Sequence, residues 1–467
     1  MLVQPFTTKF SKIGEQVFLR CDPKYRHFWD NKNGVSIEQK ALANVRLRDV
    51  LLPSSKIILR KGELDEERPI LELSDIESRT SLLLQERVTT EAGSDKLDFA
   101  DCDLVFSKLR PYLGKIVMND PSKRYIGTTE WLPLKLDWAR VGKLLLKYLL
   151  LLPEFLQSYN LLLSGKEHPR IARLDLLNML VPLPSREQQG EIEKRVAPIE
   201  ERMVSLHKSL AKPLGIVNRV FAREFGYDLE EYERLAKQNT YQKAFTDIDK
   251  SFLLRSSVKF QHPKYECVDK ILSRYPWVKL KTCTLPVHRG IQPTYSEYGD
   301  IYVIKTANLK NSSIDLTEAQ MVDREFYEAN KDTAGIRRDD VLIASTGVGS
   351  IGKVDIWQSE EEAMVDAHVS IVRINTNSMA PLYITYYLRS ILGYLQIQRD
   401  LSGSTNQIEV YPGQLEQMRI IDLPRKGQDL IVEEVRAELE GLQKQRAEIH
   451  ELRDQIDKLF IQALSAR

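Results

Sequence analysis

The pattern of apolar and polar positions runs twice through one series: short apolar runs of strand type, a helical stretch, a last short strand, then a long apolar stripe. After a polar, irregular arm holding Phe6, Phe10 and Phe18, Val45 to Leu52 and Lys56 to Arg60 read as short strands, or as a helix followed by a strand. Ile70 to Leu73 and Leu104 to Phe106 are apolar enough for buried strands. Trp131 to Leu136 alternates, and Pro133, which cannot donate to a ladder, predicts an edge strand there. Lys143 to Asn160 has helical spacing apart from Pro153, and Met179 to Leu183 closes the series as a strand.

At Ser185 the period changes. Ile192, Val196, Ile199, Met203, Leu206 and Leu210 alternate spacings of four and three, the seam of a coiled coil. Ser185 with Gln188 predicts a capping box at its start, and Pro213 should end or kink the helix. Further helical pieces follow at Ile216 to Phe225, Leu229 to Lys237 and Phe245 to Leu254. The stripe returns, longer, near the C-terminus: Val435, Leu442, Ile449, Ile456 and Ala463 recur every seventh residue, flanked by Leu452 and Leu459. A helix so striped needs a partner, and the earlier seam supplies one; the alternative is that each helix packs on its own domain.

The series is a duplication. Asp103-Leu-Val-Phe-Ser-Lys-Leu-Arg-Pro-Tyr-Leu-Gly-Lys115 and Asp340-Val-Leu-Ile-Ala-Ser-Thr-Gly-Val-Gly-Ser-Ile-Gly-Lys353 each read as strand, exposed loop, strand. Asp22-Pro-Lys-Tyr25 returns as His262-Pro-Lys-Tyr265, an offset of 262 − 22 = 240. Val45-Arg-Leu-Arg48 matches Val278-Lys-Leu-Lys281, Pro69 to Ile76 matches Tyr302 to Leu309, and Leu183-Pro184 matches Leu423-Pro424. An offset that drifts by only a few residues predicts two similar domains and a pseudo-twofold protein that engages something with two halves.

The expected fold class is therefore α/β (α+β), with two repeated mixed domains and a long antiparallel two-helix coiled-coil spacer. The expected boundaries are 1–184 for the arm and first domain, 185–255 for the central spacer, 256–424 for the second domain and 425–467 for the final helix. Connectivity makes this a dumbbell with a helical bar.

Composition narrows the classes. With 42% hydrophobic and 28% charged residues the 467-residue chain has the make-up of a soluble globular protein. A net charge of +1 means that any anion-binding surface must come from segregated charge. The four cysteines form no C-x-x-C pair and read as reduced cytosolic thiols. The N-terminus lacks the apolar core of a signal peptide, and Leu144 to Leu156 is too short and too interrupted to span a bilayer, so a cytoplasmic location away from membranes is expected.

Candidate chemistry is that of a binder. Lys108, Arg110 and Lys115 lie in or beside one exposed loop, and Lys166, His168, Arg170 and Arg173 crowd another. Such groups suit phosphates, or guanine edges through a bidentate Arg. Ser404, Thr405, Asn406 and Gln407 are small polar groups, of which Asn and Gln pair with adenine. Arg289, Gln292, Thr346 and Lys353 complete the set. Each of these also serves equally well as a solvated surface residue or turn-former. Ser345-Thr-Gly-Val-Gly349 lacks the spacing of a phosphate loop. Motifs for amino methylation, for S-adenosylmethionine binding and for His-x-x-x-His metal ligation are missing, and His368 reads as a strand residue rather than a base.

On these motifs, on Ser402-Gly-Ser-Thr-Asn-Gln-Ile408, and on the exits Leu183-Pro184 with Gln189 and Leu423-Pro424 with Gln428, nearly the whole chain resembles the specificity (S) subunits of type I restriction-modification enzymes. The resemblance implies two target-recognition domains that each read half of a split double-stranded DNA sequence. It also implies spacer helices that fix the gap and dock two modification (adenine N6-methyltransferase) subunits, with restriction (endonuclease/translocase) subunits as further partners. S-adenosylmethionine would then sit on the partner, and this chain would hold no cofactor and no catalytic residue. Ser-Gly-Lys-Glu-His-Pro-Arg in the first copy against Ser-Gly-Ser-Thr-Asn-Gln in the second implies two different half-sites. A two-lobed coiled-coil adaptor that never touches DNA is the competing reading.

Overall fold

The chain, described here from a computed structural model, is mixed α/β, with twelve α-helices and several sheets among the described residues. These are Lys24, Tyr25, Phe28 and residues 43–55, 57–165, 167–243, 257–317, 319–403 and 408–465. Two compact units divide the chain: residues 1–210 with 444–467, and residues 211–443.

Each unit is organised on a four-stranded antiparallel sheet. In the first, β1 (Leu51–Leu52), β2 (Leu104–Ser107), β3 (Ile116–Met118) and β4 (Trp131–Leu136) lie in the order β1-β4-β2-β3. In the second, β5 (His288–Arg289), β6 (Val341–Ala344), β7 (Val354–Ile356) and β8 (Val369–Val372) lie in the order β5-β8-β6-β7. The central strands β2 and β6 are unbroken apolar or small-residue runs because every one of their side chains is buried. The duplicated stretch is the hairpin expected from sequence in both units, with Leu104 opposite Met118 and Val341 opposite Ile356.

Matching continues outside this sheet. Arg68–Leu71 pairs parallel with Ile126–Thr128, as Ile301–Ile304 pairs parallel with Ala363–Val365. Ala43–Arg46 pairs with Leu180–Leu183, and Trp277–Lys279 with Arg419–Ile421; a 3-10 turn follows the first strand of each pair. The halves diverge where the first adds strands Ile57–Leu59, Arg87–Thr89 and Lys96–Asp98, while the second adds Gln320–Val322 and the helix Arg324–Ala334.

The edge-strand reading of Trp131 to Leu136 needs correction: β4 lies between β1 and β2. Pro133 is nonetheless accommodated, because it faces Val105 on one side while β1 pairs only with Lys135 and Leu136.

The described helices follow the sequence closely, and the piece expected at Phe245 to Leu254 lies outside the described residues. Pro153 starts a new helix instead of kinking one, so α1 (Lys143–Leu150) gives way to α2 (Pro153–Leu162). The helix α3 (Arg186–Ser209) opens on the expected capping box of Ser185 and Gln188 and runs on through Pro198. It ends before Pro213, which is the first residue of α4 (Pro213–Phe225). The second unit repeats the first helical pair as α5 (Pro381–Arg389) and α6 (Ile391–Asp400). Last comes α7 (Arg425–Ser465), 41 residues or roughly 60 Å of helix. Its stripe is buried at Val435, Leu442, Ile449 and Ile456. Ile431, Val432 and Val435 join the core of the second unit, whereas Ile449, Ile456, Phe460 and Leu464 join that of the first, alongside Ile192, Val196, Met203 and Leu206 of α3. Within the second unit Arg219 pairs with Glu438 and Arg223 with Glu434, an antiparallel match of α4 and α7. Within the first, Arg202 of α3 pairs with Glu448 at 3.0 Å.

A buried glutamine roots each long helix. Gln189 donates through Nε2 to the carbonyls of Arg140 (2.9 Å) and Pro184 (3.0 Å) and accepts the Gly142 N–H through Oε1 (3.4 Å). Gln428 donates to the Leu423 carbonyl (2.8 Å) and accepts the Ala380 N–H (2.8 Å). Gly142 and Ala380 are the N-caps of α1 and α5, so each glutamine joins the end of a sheet, a domain helix and a long helix. Gln428→Leu should therefore cost about 1–3 kcal/mol by leaving buried backbone groups unpaired. Gly441→Ala, in an open stretch of the same helix, should instead stabilise by about 0.5–1 kcal/mol. Urea denaturation of the full chain measures both, and equal midpoints for wild type and Gln428→Leu would remove the glutamine from this role.

Candidate nucleic-acid interface

In the first unit three segments meet at the end of β2. The loop after β2 bonds to the turn before β4 through Lys108 N–H and the Glu130 carbonyl (3.0 Å). The hairpin of Leu163–Ser164 with Arg170–Ile171 is tied to the same loop by Ile171 N–H to the Lys108 carbonyl (3.1 Å) and Arg110 N–H to the Pro169 carbonyl (2.8 Å). Arg110, at φ +46°, starts the 3-10 turn Pro111–Leu113 from the left-handed region. On this frame Arg170 engages Glu130: Nε lies 3.1 and 2.9 Å from its two carboxylate oxygens and Nη2 2.8 Å from Oε1. Nη1 donates to the His168 carbonyl at 3.0 Å. The bonded guanidinium holds the Glu130 carboxyl below its ordinary value of 4.5. Arg110 reaches the Glu167 carbonyl at 3.5 Å, and His168 is exposed.

The second unit builds the same frame with different side chains. Ser345 N–H bonds to the His368 carbonyl (2.8 Å) and Val410 N–H to the Ser345 carbonyl (3.0 Å), while Ser402 and Glu409 exchange backbone bonds of 2.8 and 2.9 Å. Leu109 bridges Arg170 in one unit and Thr346 bridges Glu409 in the other. By these bonds Lys108 corresponds to Ser345, Leu109 to Thr346, Glu130 to His368 and Arg170 to Glu409. Thr346 Oγ1 meets His368 Nδ1 at 2.8 Å. Arg289 binds Glu409 Oε2 through Nη1 (3.1 Å) and the Val410 carbonyl through Nη2 (2.8 Å), and lies 5.1 Å from the Tyr411 ring centre.

The frames thus gather Lys108, Arg110, His168 and Arg170 in one unit, and Arg289 and Thr346 in the other. Other expected residues lie apart from them. Lys115 turns inward: its Nζ donates to the Leu73 carbonyl at 2.7 Å, and partial burial lowers its pKa. Lys353 lies 3.4 Å from Ser350 Oγ and lines a cavity of about 610 Å³ with Tyr394 and Arg389. Arg173 starts the helix Arg173–Asn178 and lines a cleft of about 230 Å³ with Arg48, Leu52 and Lys135. Gln292 is exposed. Lys166, Ser404, Thr405, Asn406 and Gln407 lie outside the described residues. Sequence reasoning missed Glu130, Glu409 and Tyr411; the repeat offset, carried through from Ser164 and Ser402, would have placed Glu130 opposite His368 and pointed to this position.

Among the described residues no group of three His, Cys, Asp or Glu side chains is placed to hold a metal ion, and no helix is long and apolar enough to cross a membrane.

No family model matches the chain, and no curated protein does. Solved structures similar to it are S subunits and assemblies of type I restriction-modification systems. One, from work on the complex assembly and conformational transition of the type I R-M system, is 16% identical, with 91% of this chain and 98% of that one covered and a TM-score of 0.41. The HsdS subunit from Thermoanaerobacter tengcongensis is 16% identical over 91% and 97% of the two chains, with a TM-score of 0.32. The S subunit from M. genitalium is 12% identical over 92% and 98%, with a TM-score of 0.38. Likenesses at this level leave function to the residues themselves.

The Arg170–Glu130 pair makes a direct prediction. The Glu130 carboxyl should titrate below 4.5 in the wild type and return toward that value in Arg170→Met, as followed by carboxyl-carbon NMR. The contribution of the pair, present above the ordinary carboxylate range, is lost only as pH falls through the lowered value. A wild-type midpoint at or above 4.5 would mean that the pair does not form in solution.

Proposed function

We propose that this chain is a non-catalytic, sequence-specific DNA-binding subunit of the type I restriction-modification class. The observation that carries this reading is one backbone frame built twice with its outward side chains exchanged: Glu130 and Arg170 in one copy, His368 and Glu409 in the other. Duplication for stability alone would favour like side chains; a bipartite target with unlike halves favours unlike ones.

In this reading residues 1–184 and 256–424 are the two target-recognition domains, and 185–255 with 425–467 form an antiparallel helical spacer. Lys108, Arg110, His168, Arg170, Arg289 and Thr346 face DNA, and Lys166 and Ser404 to Gln407 are assigned to DNA binding from the sequence alone. Arg173, Gln292 and Lys353 add contacts to the DNA backbone, whereas Lys115 is held inward by the Leu73 carbonyl. The spacer sets the gap between half-sites and docks two modification subunits, with restriction subunits joining them. Methyl transfer, S-adenosylmethionine and the flipped adenine belong to those partners.

DNA affinity should fall steeply with salt, about 10³- to 10⁵-fold between 50 and 200 mM for six to ten phosphate contacts. Fluorescence anisotropy with duplexes carrying the adenines methylated in the source genome tests this, and a chain without DNA affinity at 50 mM salt would instead be the protein adaptor.

The spacer has its own test. Deleting residues 203–209 and 442–448 removes one heptad from each stripe, keeps both in phase and shortens each helix by about 10 Å. That is about 3 bp of DNA, so the preferred gap should change. Affinity across duplexes whose gap varies one base pair at a time is the measurement. The same optimum and the same affinity in the deletion variant would show that the helices are no ruler.

A further inference from the structure

Resting on the DNA-reading function, we infer that Arg170 and Glu409 are specificity-determining residues of opposite polarity, Arg170 reading a guanine in one half-site and Glu409 a cytosine in the other. Both occupy the same place in the repeated frame, opposite Leu109 and Thr346 respectively.

The hydrogen-bond inventory of Arg170 leads to guanine. A guanidinium has five N–H donors. In Arg170 the Nε donor and one on Nη2 are held by Glu130, and one on Nη1 by the His168 carbonyl. One N–H on each terminal nitrogen is left, the pair that matches O6 and N7 of guanine in the major groove. The side chain is 45% exposed, so those donors can be reached. Pairing with Glu130 neutralises the charge, so a phosphate gains little there, while a neutral base edge still finds two fixed donors. Glu130 is then a positioning residue, spending its carboxylate on the orientation of Arg170.

Glu409 inverts the arrangement. Arg289 donates once from each terminal nitrogen, to Glu409 Oε2 and the Val410 carbonyl, with its Nε buried and its side chain only 21% exposed beside Tyr411, so its remaining N–H groups are less open than those of Arg170. It fixes one oxygen of Glu409 and leaves Oε1 as a bare acceptor on a side chain 35% exposed. An acceptor on a neutralised pair suits the N4 amino group of cytosine and rejects phosphate.

Selection of bound duplexes from a random pool, with the full-length chain, tests both assignments. The wild type should enrich a bipartite motif. Arg170→Ala should lose the preference for one guanine, roughly 5- to 150-fold, and keep every other position. Arg170→Lys, which keeps the charge but not the fork, should lose the same position, and Glu130→Ala should weaken it. Glu409→Gln can still accept from Arg289 but adds an amide donor, so one cytosine in the other half-site should relax or turn to adenine. A wild-type motif that every variant reproduces would overturn the inference alone, and a salt slope reduced by about one in Arg170→Ala would make Arg170 a phosphate contact instead. A wild type that enriches no motif would overturn the DNA-reading function and this inference with it.

Discussion

The buried glutamine at the root of each long helix is the constraint on which both halves depend. A helix leaving a sheet exposes unpaired backbone groups on both sides of the junction, and burying them unpaired would cost several kcal/mol. Gln189, 2% exposed, and Gln428, 1% exposed, answer the donors and acceptors of their junctions with one side chain. Both also fix the direction in which the chain leaves Pro184 or Leu423. The seven-residue stripes that follow can be used only if that direction is kept.

Beyond the glutamines the two halves are secured by different buried ions. In the first unit Lys147 of α1 meets Glu200 of α3 at 2.8 Å, both nearly inaccessible. Arg453 of α7 donates to the carbonyls of Arg79 and Leu151 and to Asp457. In the second unit Arg389 of α5 takes the inner position, bonded to Asp355 and to the Val354 carbonyl. Asp355 in turn accepts the backbone N–H groups of Lys310 and Asn311. Buried ions add little net stability but are costly to mispair, so they discriminate between alternative packings. Two domains of one ancestry thus have unlike interiors, which discourages one from docking where the other belongs.

Much of this was legible before any coordinates, because it was written in local chemistry. The capping box at Ser185, the two hairpins, the break at Pro153 and the buried stripe through Val435 and Ile456 follow from spacing and residue type alone. The site was only half legible. Basic residues in exposed loops can be found from sequence, but whether they face outward cannot, since Lys115 is drawn to a carbonyl 42 residues away. Glu130 has no local signature for the same reason, since it lies between strands with its partner 40 residues distant, and only the repeat offset points to it. The proline in β4 misled because a strand can be paired along one stretch and open along the next.

The two loops also differ in stiffness. The first carries Pro111 and a 3-10 turn, with Arg110 already in the left-handed region, so it has few other conformations to visit. The second replaces this with Gly347, Gly349 and Gly352, all at positive φ, and carries no charge between Ser345 and Gly352. On the proposed DNA-reading function, its recognition chemistry would lie on Glu409 and its neighbours, with the glycines allowing the backbone a near approach to the duplex. Because backbone bonds hold both frames, outward side chains can change at little cost in stability. A fold stabilised in that way can be duplicated once and its two copies can then diverge separately at these positions.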